Sequence, residues 1–252
     1  MKKSKLAKVL TVSLAALMVF GLASCGGGSG KVSDKDITVI SREEGSGTRD
    51  AFTELTGVLQ DDVDKTVDTA EISNSTSVVI QSVAGNDAAI GYISLGSLDD
   101  TVKAVKVDGV EATVDNIKSG DYKIQRPFNI VTKGEVKELP ADFIKFIMSK
   151  DGQKIIEDEG YISVNDNAEA YKASGLKGSI TLAGSTSVSP VMEVLADKYK
   201  ELNSGVTIEI QQTGSGAGIQ STTEGVCDIG MASRELKDDE AKDLDNQVIA
   251  TD

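Results

Sequence analysis

The sequence predicts an α/β protein built mainly from parallel sheets. Two observations carry that reading. Short β-branched runs alternate with stretches of helical periodicity from Asp36 onward, the pattern of strands crossed over by helices. Three of those runs end in turns rich in Gly, Ser and Thr that lead into helices, at residues 45–48, 184–187 and 214–218. At 252 residues the chain is long enough for two modest domains, each burying a core of its own.

Taken in order, residues 37–41 read as a buried strand, and the helix after it sets Ala51, Phe52 and Leu55 on one face. The acidic stretch containing Asp61, Asp62, Asp64 and Asp68 lacks the glycine and the spacing of a calcium loop and reads as a solvated surface turn. Residues 75–84 read as a helix capped by Asn74 or Ser75. Strands are expected at 88–93 and 102–107, a turn at Asp108-Gly109 and a short helix at 114–119. Arg126-Pro127 opens a strand at 128–132. Pro140 starts a helix through Phe143, Phe146 and Ile147, and a second helix at 153–159 stops at Gly160.

Residues 165–178 are polar and weakly patterned, a linker. Within it Ser174-Gly175-Leu176-Lys177 matches the Ser-x-x-Lys string of penicillin-binding enzymes, but no companion motif supports it and it is read as chance. Beyond the linker, strands are expected at 179–183, 206–210, 226–231 and 247–250. Helices are expected at 190–202, with Val191, Val194, Leu195 and Tyr199 inward, from 219 to 223, and at 238–244. Cys227 reads as a small buried hydrophobe.

The Gly/Ser turns suggest the chemistry. The first N–H groups of a helix have no partner inside it and the helix dipole is positive there, so a strand, a turn and a helix start make an anion site. In the first turn Ser46 and Thr48 add hydroxyl donors, Gly47 lets the backbone come close, and Arg42 adds a planar charged fork that suits an oxyanion. Taken alone, that stretch reads equally well as a capped helix beside a solvated arginine. Three turns of one chemistry, all at the carboxyl ends of strands where α/β sheets hold ligands, favour a shared anion.

Composition narrows the function. The formal charge is −14, with 26 Lys+Arg against 40 Asp+Glu. Lys2, Lys3, Lys5 and Lys8 fall in residues 1–24 with no acid, so 22 basic residues face 40 acidic ones from Cys25 onward, a balance of −18. Such a chain is repelled by nucleic acid. It has no histidine, which removes His-based triads and most zinc sites. The lysines lead into an apolar run at 9–22 that is short for a membrane span and reads as a signal segment over residues 1–24. Residues 25–35, opening Cys25-Gly26-Gly27-Gly28-Ser29-Gly30, read as a flexible tether.

Several strings resemble a known family. Leu22-Ala23-Ser24-Cys25 resembles the lipobox of bacterial lipoproteins, which implies cleavage before Cys25 and lipidation of its thiol; an ordinary signal peptide is the other reading. The string 40–49, containing Arg-x-x-Gly-Ser-Gly-Thr, is similar to one in the phosphate-binding proteins of bacterial phosphate ABC importers. So are 183–188, 213–218, 228–234, Arg126-Pro127-Phe128 and Gly152-Gln153-Lys154.

The resemblance implies a two-lobed periplasmic-binding-protein fold, type II-like, with the anion in the cleft. The lobes would be residues 36–125 and 126–252. By motif match, Arg42, Ser46, Gly47 and Thr48 hold phosphate from one lobe, and Thr186, Ser187, Ser215 and Ser233 stand at the family's positions in the other. Glu44 is a candidate partner for Arg42, or is solvated.

The resemblance also shows departures. The family usually begins with the Gly-Ser-Thr unit, so the order here looks circularly permuted. Some members carry an aspartate where Ser233 stands, which leaves selection of phosphate over sulfate open. No match to the family's crossover strand and the start of its other lobe follows Asp252, so an unfilled sheet position or an exposed apolar edge is expected.

The implied protein is an extracytoplasmic lipoprotein, anchored to the membrane through Cys25, that works as a monomer without a cofactor or metal. It would deliver inorganic phosphate to the membrane subunits of an ABC importer. Another oxyanion, such as sulfate or molybdate, is the nearest alternative. A phosphate-ester hydrolase using Ser46 or Ser187 lacks a histidine to activate the nucleophile.

Overall fold

A strand is useful here for where it ends, because each helix that faces the candidate site starts just past one. The computed structural model describes residues 36–252. The first strand, β1, spans Thr38–Arg42, and α1 spans Gly47–Leu55 with Ser46 as its cap. A hairpin of β2 (Leu59–Gln60) and β3 (Val63–Asp64) follows, turned by Asp61 and Asp62 at φ 51° and 60°. Then come β4 (Glu71–Ser73), α2 (Thr76–Ala84), β5 (Ala89–Ile90) and α3 (Val114–Lys118). A small sheet has the order β4-β1-β5, with both pairings parallel.

The rest of the chain builds a larger sheet. Its elements are β6 (Pro127–Thr132), α4 (Glu138–Ile147), α5 (Lys150–Asp158), β7 (Ile162–Ser163), β8 (Gly178–Gly184) and α6 (Ser189–Leu202). They continue with β9 (Val206–Gln212), α7 (Ser215–Thr223), β10 (Ile229–Ala232) and β11 (Asp245–Thr251). The six strands run in the order β7-β11-β6-β10-β8-β9. β8 pairs parallel with β9 and β10, whereas β6 runs antiparallel to both β10 and β11, and β7 antiparallel to β11.

Parallel pairing therefore holds in the small sheet and at one end of the large one. The antiparallel half places Arg126 beside Asp252. Their backbones exchange two N–H···O bonds of 2.9 Å, and Asp252 Oδ2 accepts from Arg126 Nε and Nη2 at 3.0 and 2.9 Å. Asp252 Oδ1 accepts from Leu95 N at 2.7 Å, tying this edge to the segment after β5.

Several sequence expectations change. Residues 102–107 form no strand: only Val107 bridges Val110, across a turn with Asp108 and Gly109 at φ 51° and 83°. A strand needs a partner, and Val105 stays 59% exposed. The strand expected at 88–93 is reduced to β5, and the helix expected at 238–244 to a 3₁₀ turn at Glu240–Lys242. Val194 and Leu55 point outward, while Met192 and Ala196 fill the core side of α6. α5 starts earlier than read, because Ser149 caps it by accepting from Gly152 N. The third Gly/Ser turn is itself the first turn of α7, which begins at Ser215.

The main core lies between the large sheet and α4, α5 and α6, around Phe128, Phe143, Phe146, Leu182, Leu195 and Tyr199. The linker is held to it by Asp142, whose Oδ2 accepts from Tyr171 Oη, Ser174 Oγ and Tyr199 Oη at 2.5, 2.7 and 2.7 Å. This gives Ser174 a structural role. Against the small sheet the packing is thinner. An apolar cavity of about 320 Å³ opens among Phe52, Val79, Tyr92, Leu98, Ile117 and Tyr122. Ile72 on β4 and Ile90 on β5, the two edges of that sheet, are 59% and 46% exposed. Among the described residues no helix is long and apolar enough to cross a membrane; Cys25 and the signal segment lie outside those residues.

Candidate functional site

The chain leaves β1 at Arg42, a side chain only 1% exposed. Burying a guanidinium requires partners for its charge and its donors. Glu43 supplies most of them: Arg42 Nε donates to Glu43 Oε2 and Nη2 to Oε1, both at 2.9 Å. Nε also donates to Ser73 O at 3.2 Å, and Nη2 to Thr186 Oγ1 at 3.1 Å. Nη1 is buried without a protein partner. Glu44, read as a partner for Arg42 or as solvated, is exposed. The reason is local: strand alternation stops at residue 43, where Glu43 N donates to Ser73 O and Glu43 O accepts from Ser46 N. The Glu43 side chain is thereby left on the side of Arg42.

Ser46 is buried, and its hydroxyl turns back to cap α1, accepting from Arg49 N at 3.4 Å. Gly47 and Thr48 form the first turn of α1. Thr48 Oγ1 meets Ser187 Oγ from the far sheet at 2.8 Å. A side chain at Gly47 would run into Ser215 Oγ, so only glycine lets the first turn of α1 approach α7 this closely. A backbone bond from Gly216 N to Gly45 O, 3.0 Å, fixes the two turns against each other.

From the large sheet, Thr186 and Ser187 follow the end of β8, and Ser215 opens α7 after Gly214 at φ 90°. Ser233 follows β10. Its N–H donates to Ser215 Oγ at 3.1 Å, and its Oγ accepts from Ser185 Oγ at 3.0 Å. Thr186, Ser187, Ser215 and Ser233 are all buried. The structure thus gathers Arg42, Gly47, Thr48, Thr186, Ser187, Ser215 and Ser233 into one buried ring of N–H and O–H groups with a single guanidinium. Ser46 stands beside it with its hydroxyl committed to the cap.

Two residues of the ring were not singled out from the sequence. Ser185 accepts from Ser187 N and Val188 N, shaping the turn after β8. Thr76, 4% exposed, begins α2 and brings its Oγ1 to 3.2 Å from Ser187 Oγ and 3.5 Å from Thr186 Oγ1. Its signal was present: Asn74-Ser75-Thr76-Ser77 is a fourth hydroxyl-rich helix start, read only as a cap. Ser75 is that cap, accepting from Val78 N at 3.3 Å.

The neighbouring cations are spent on carboxylates. Arg49 Nε donates to Asp64 Oδ2 at 2.8 Å, and its Nη1 to Arg42 O at 2.9 Å. Arg234 donates from Nη1 and Nη2 to Glu240 at 2.7 and 2.8 Å, while its Nε lies 2.8 Å from Asp50 Oδ2 on α1. Burial pushes the Glu240 carboxyl up, but the hydrogen bonds from Arg234 and Lys237 N outweigh it and hold it below its ordinary value. Arg42 Nη1 is thus a buried guanidinium donor without a protein partner; among the described residues Arg126 Nη1 and Arg234 Nε also lack a hydrogen bond, but on guanidiniums paired to Asp252 and to Glu240 and Asp50. No group of three or more metal-ligating side chains occurs among the described residues.

The family model for the PBP superfamily domain, PBP_like_2, matches residues 28–151 and 169–252. The chain belongs to the PBP superfamily. Within it, the chain is 51% identical over 260 residues to the phosphate-binding protein PstS 2 of Streptococcus agalactiae serotype V, covering 100% of this chain and 88% of that one. The crystal structure of a phosphate-binding protein of a phosphate ABC transporter from Streptococcus pneumoniae TIGR4 superposes with a TM-score of 0.70 at 50% identity, covering 86% of each chain. The phosphate-binding protein PstS of Bacillus subtilis is 35% identical over 144 residues, 56% of this chain and 46% of that one. The α/β periplasmic-binding-protein fold expected from the sequence is the fold observed.

Proposed function

We propose that the protein is an extracytoplasmic phosphate-binding lipoprotein that delivers inorganic phosphate to an ABC importer and catalyses no reaction. One observation carries the reading: Arg42, whose Nη2 donates to Thr186 Oγ1 in a ring of hydroxyls and helix N-termini contributed by both sheets, has a buried Nη1 with no protein partner. A buried charged donor without a partner is costly, and an oxyanion satisfies it. The full-length match to a protein named for phosphate binding supports the choice of anion. No base accompanies the candidate nucleophiles: Ser187 Oγ meets only hydroxyls, and Ser46 Oγ caps α1.

In this reading residues 36–125 and 126–252 are the lobes, joined where Arg126 pairs with Asp252. Phosphate is held by Arg42, Ser46, Gly47, Thr48, Thr186, Ser187, Ser215 and Ser233, with Thr76 beside them. Residues 1–24 are the signal peptide, Cys25 carries the lipid and 25–35 are the tether. The segment order is read as permuted relative to the family's usual one, an order shared by the Streptococcus agalactiae relative that matches the whole chain; the Bacillus subtilis match, limited to about half of either chain, fits a changed order.

Titration calorimetry against phosphate, sulfate and molybdate tests the function. Phosphate should bind most tightly, and incubation with phosphate esters should yield no product. A chain that takes up none of the three anions, or that turns over an ester, removes the proposal. Mass spectrometry of the mature N-terminus should find a lipidated Cys25.

A further inference from the structure

Resting on the phosphate reading, a second question is how the site accommodates the one proton of hydrogen phosphate. That anion presents oxygens that accept and one O–H that must donate, whereas sulfate presents acceptors only. A site made of donors alone would set a hydrogen against a hydrogen at the protonated oxygen. The nearby carboxylates do not fill the need. Both oxygens of Glu43 accept from Arg42, Asp50 and Glu240 face Arg234, and Asp64 faces Arg49. The acceptor must then be a hydroxyl.

A hydroxyl beside the anion accepts only if its own proton has somewhere else to go. The ring contains two hydroxyl groupings, and they differ on this point. In the first, Ser215 Oγ accepts from Ser233 N and Ser233 Oγ accepts from Ser185 Oγ, so each oxygen already has one lone pair filled and, beyond a long 3.4 Å contact between the two hydroxyls, a proton left to face an anion. In the second, Ser187 Oγ lies between two hydroxyl oxygens, Thr48 Oγ1 at 2.8 Å and Thr76 Oγ1 at 3.2 Å, with Thr186 Oγ1 a further 3.5 Å beyond Thr76. That chain can run either way. With its proton turned to Thr76, Ser187 offers a lone pair; with the direction reversed, it donates.

We propose that the chain Thr48–Ser187–Thr76 is the proton-accepting element of the site, and that Thr76 is its specificity-determining residue. The three side chains come from three helix starts on both sheets and are each more than nine-tenths buried, so water does not substitute for a missing hydroxyl. An uncharged acceptor sets no repulsion against sulfate, so phosphate is preferred by a modest margin and sulfate still binds.

The test measures both anions on the full chain by titration calorimetry, at a pH where the hydrogen phosphate dianion predominates. Thr76→Val removes the hydroxyl and keeps the shape; Thr76→Ser keeps the hydroxyl. Thr76→Val should weaken phosphate about tenfold and sulfate less than about threefold, with Thr76→Ser close to the unaltered chain. Thr76→Ala gives the same readout should the valine variant fail to fold, as judged by its thermal midpoint. Equal losses for the two anions, or no loss for phosphate, overturn the proposal. So does a chain that binds phosphate but no sulfate at millimolar concentration. Failure of the unaltered chain to bind either anion is a different result: it removes the phosphate reading itself.

Discussion

Both sheets contribute to the ring but are built very differently. Behind the large sheet, twenty buried residues join in one apolar cluster, with Phe143, Phe146 and Tyr199 in mutual aromatic contact. On the small-sheet side, up to residue 125, the buried hydrophobics among the described residues are Ile40, Ala51, Val79 and Ile117, set beside a cavity of about 320 Å³. Yet this thinner side carries Arg42, the site's full charge. Its order near the anion rests on polar groups: Tyr92 Oη bonds Ser41 Oγ at 2.7 Å and accepts from Arg42 N at 3.1 Å, while its ring stacks on Phe52 at 4.1 Å. A rigid face and a softer one thus meet at the ring, held together by the hydrogen bonds between them.

Substitutions can break or sharpen that contrast. The largest effect is expected behind the large sheet, where Phe143→Ala should lower unfolding free energy in urea by about 3–5 kcal/mol. Arg42→Ala should leave the core intact but reduce phosphate binding by about 2–5 kcal/mol in calorimetry, because the ring loses its guanidinium while the half-buried Glu43 keeps its charge. Unchanged affinity would remove Arg42 from the site. Val79→Ala, deleting two methyl groups beside space already open, should lose about 1–2 kcal/mol; a loss equal to that of Phe143→Ala would erase the contrast. Hydrogen exchange should run faster at the amides of β1 and α2 than at those of β6 and β8.

The smallest effect concerns Asp142. Burial pushes its carboxyl up, but hydrogen bonds from Tyr171, Tyr199 and Ser174 prevail and hold it below its ordinary value. A depressed carboxylate contributes stability that is present above its unfolded-state value and lost as pH falls through its folded one. Asp142→Asn should therefore cost about 0.5–1.5 kcal/mol at neutral pH. The difference from the unaltered chain should shrink in acid, as read from paired urea titrations.

Much of the fold was legible because strand, turn and helix signals are local. The ends of β1 and β8, the cap at Ser75 and the stop at Gly160 each follow from a few adjacent residues. Strand direction was not legible at 128–132 and 247–250, since nothing in a β-branched run tells which neighbour it will meet. The run 102–107 has strand composition and no partner. At the site, hydroxyls and glycines beside helix starts were readable. The choice of Glu43 over Glu44 was not, because it depends on where the chain leaves β1. Thr76 was missed for a related reason: its importance comes from Ser187, 111 positions away.

Gly47 also bears on time. Under the proposed function, an anion enclosed between the two faces would leave only when they part, so its residence time would be set by how often they open. The closeness of closure is set partly by the bare α-carbon at Gly47, against which Ser215 packs. A methyl group there acts as a spacer, pressing on Ser215 Oγ and holding the faces apart while leaving Arg42 in place. Gly47→Ala should then raise the dissociation rate far more than it lowers the association rate, a split that stopped-flow measurements resolve. A missing side chain would in that case serve as the escapement of the protein, metering how long each captured anion is held.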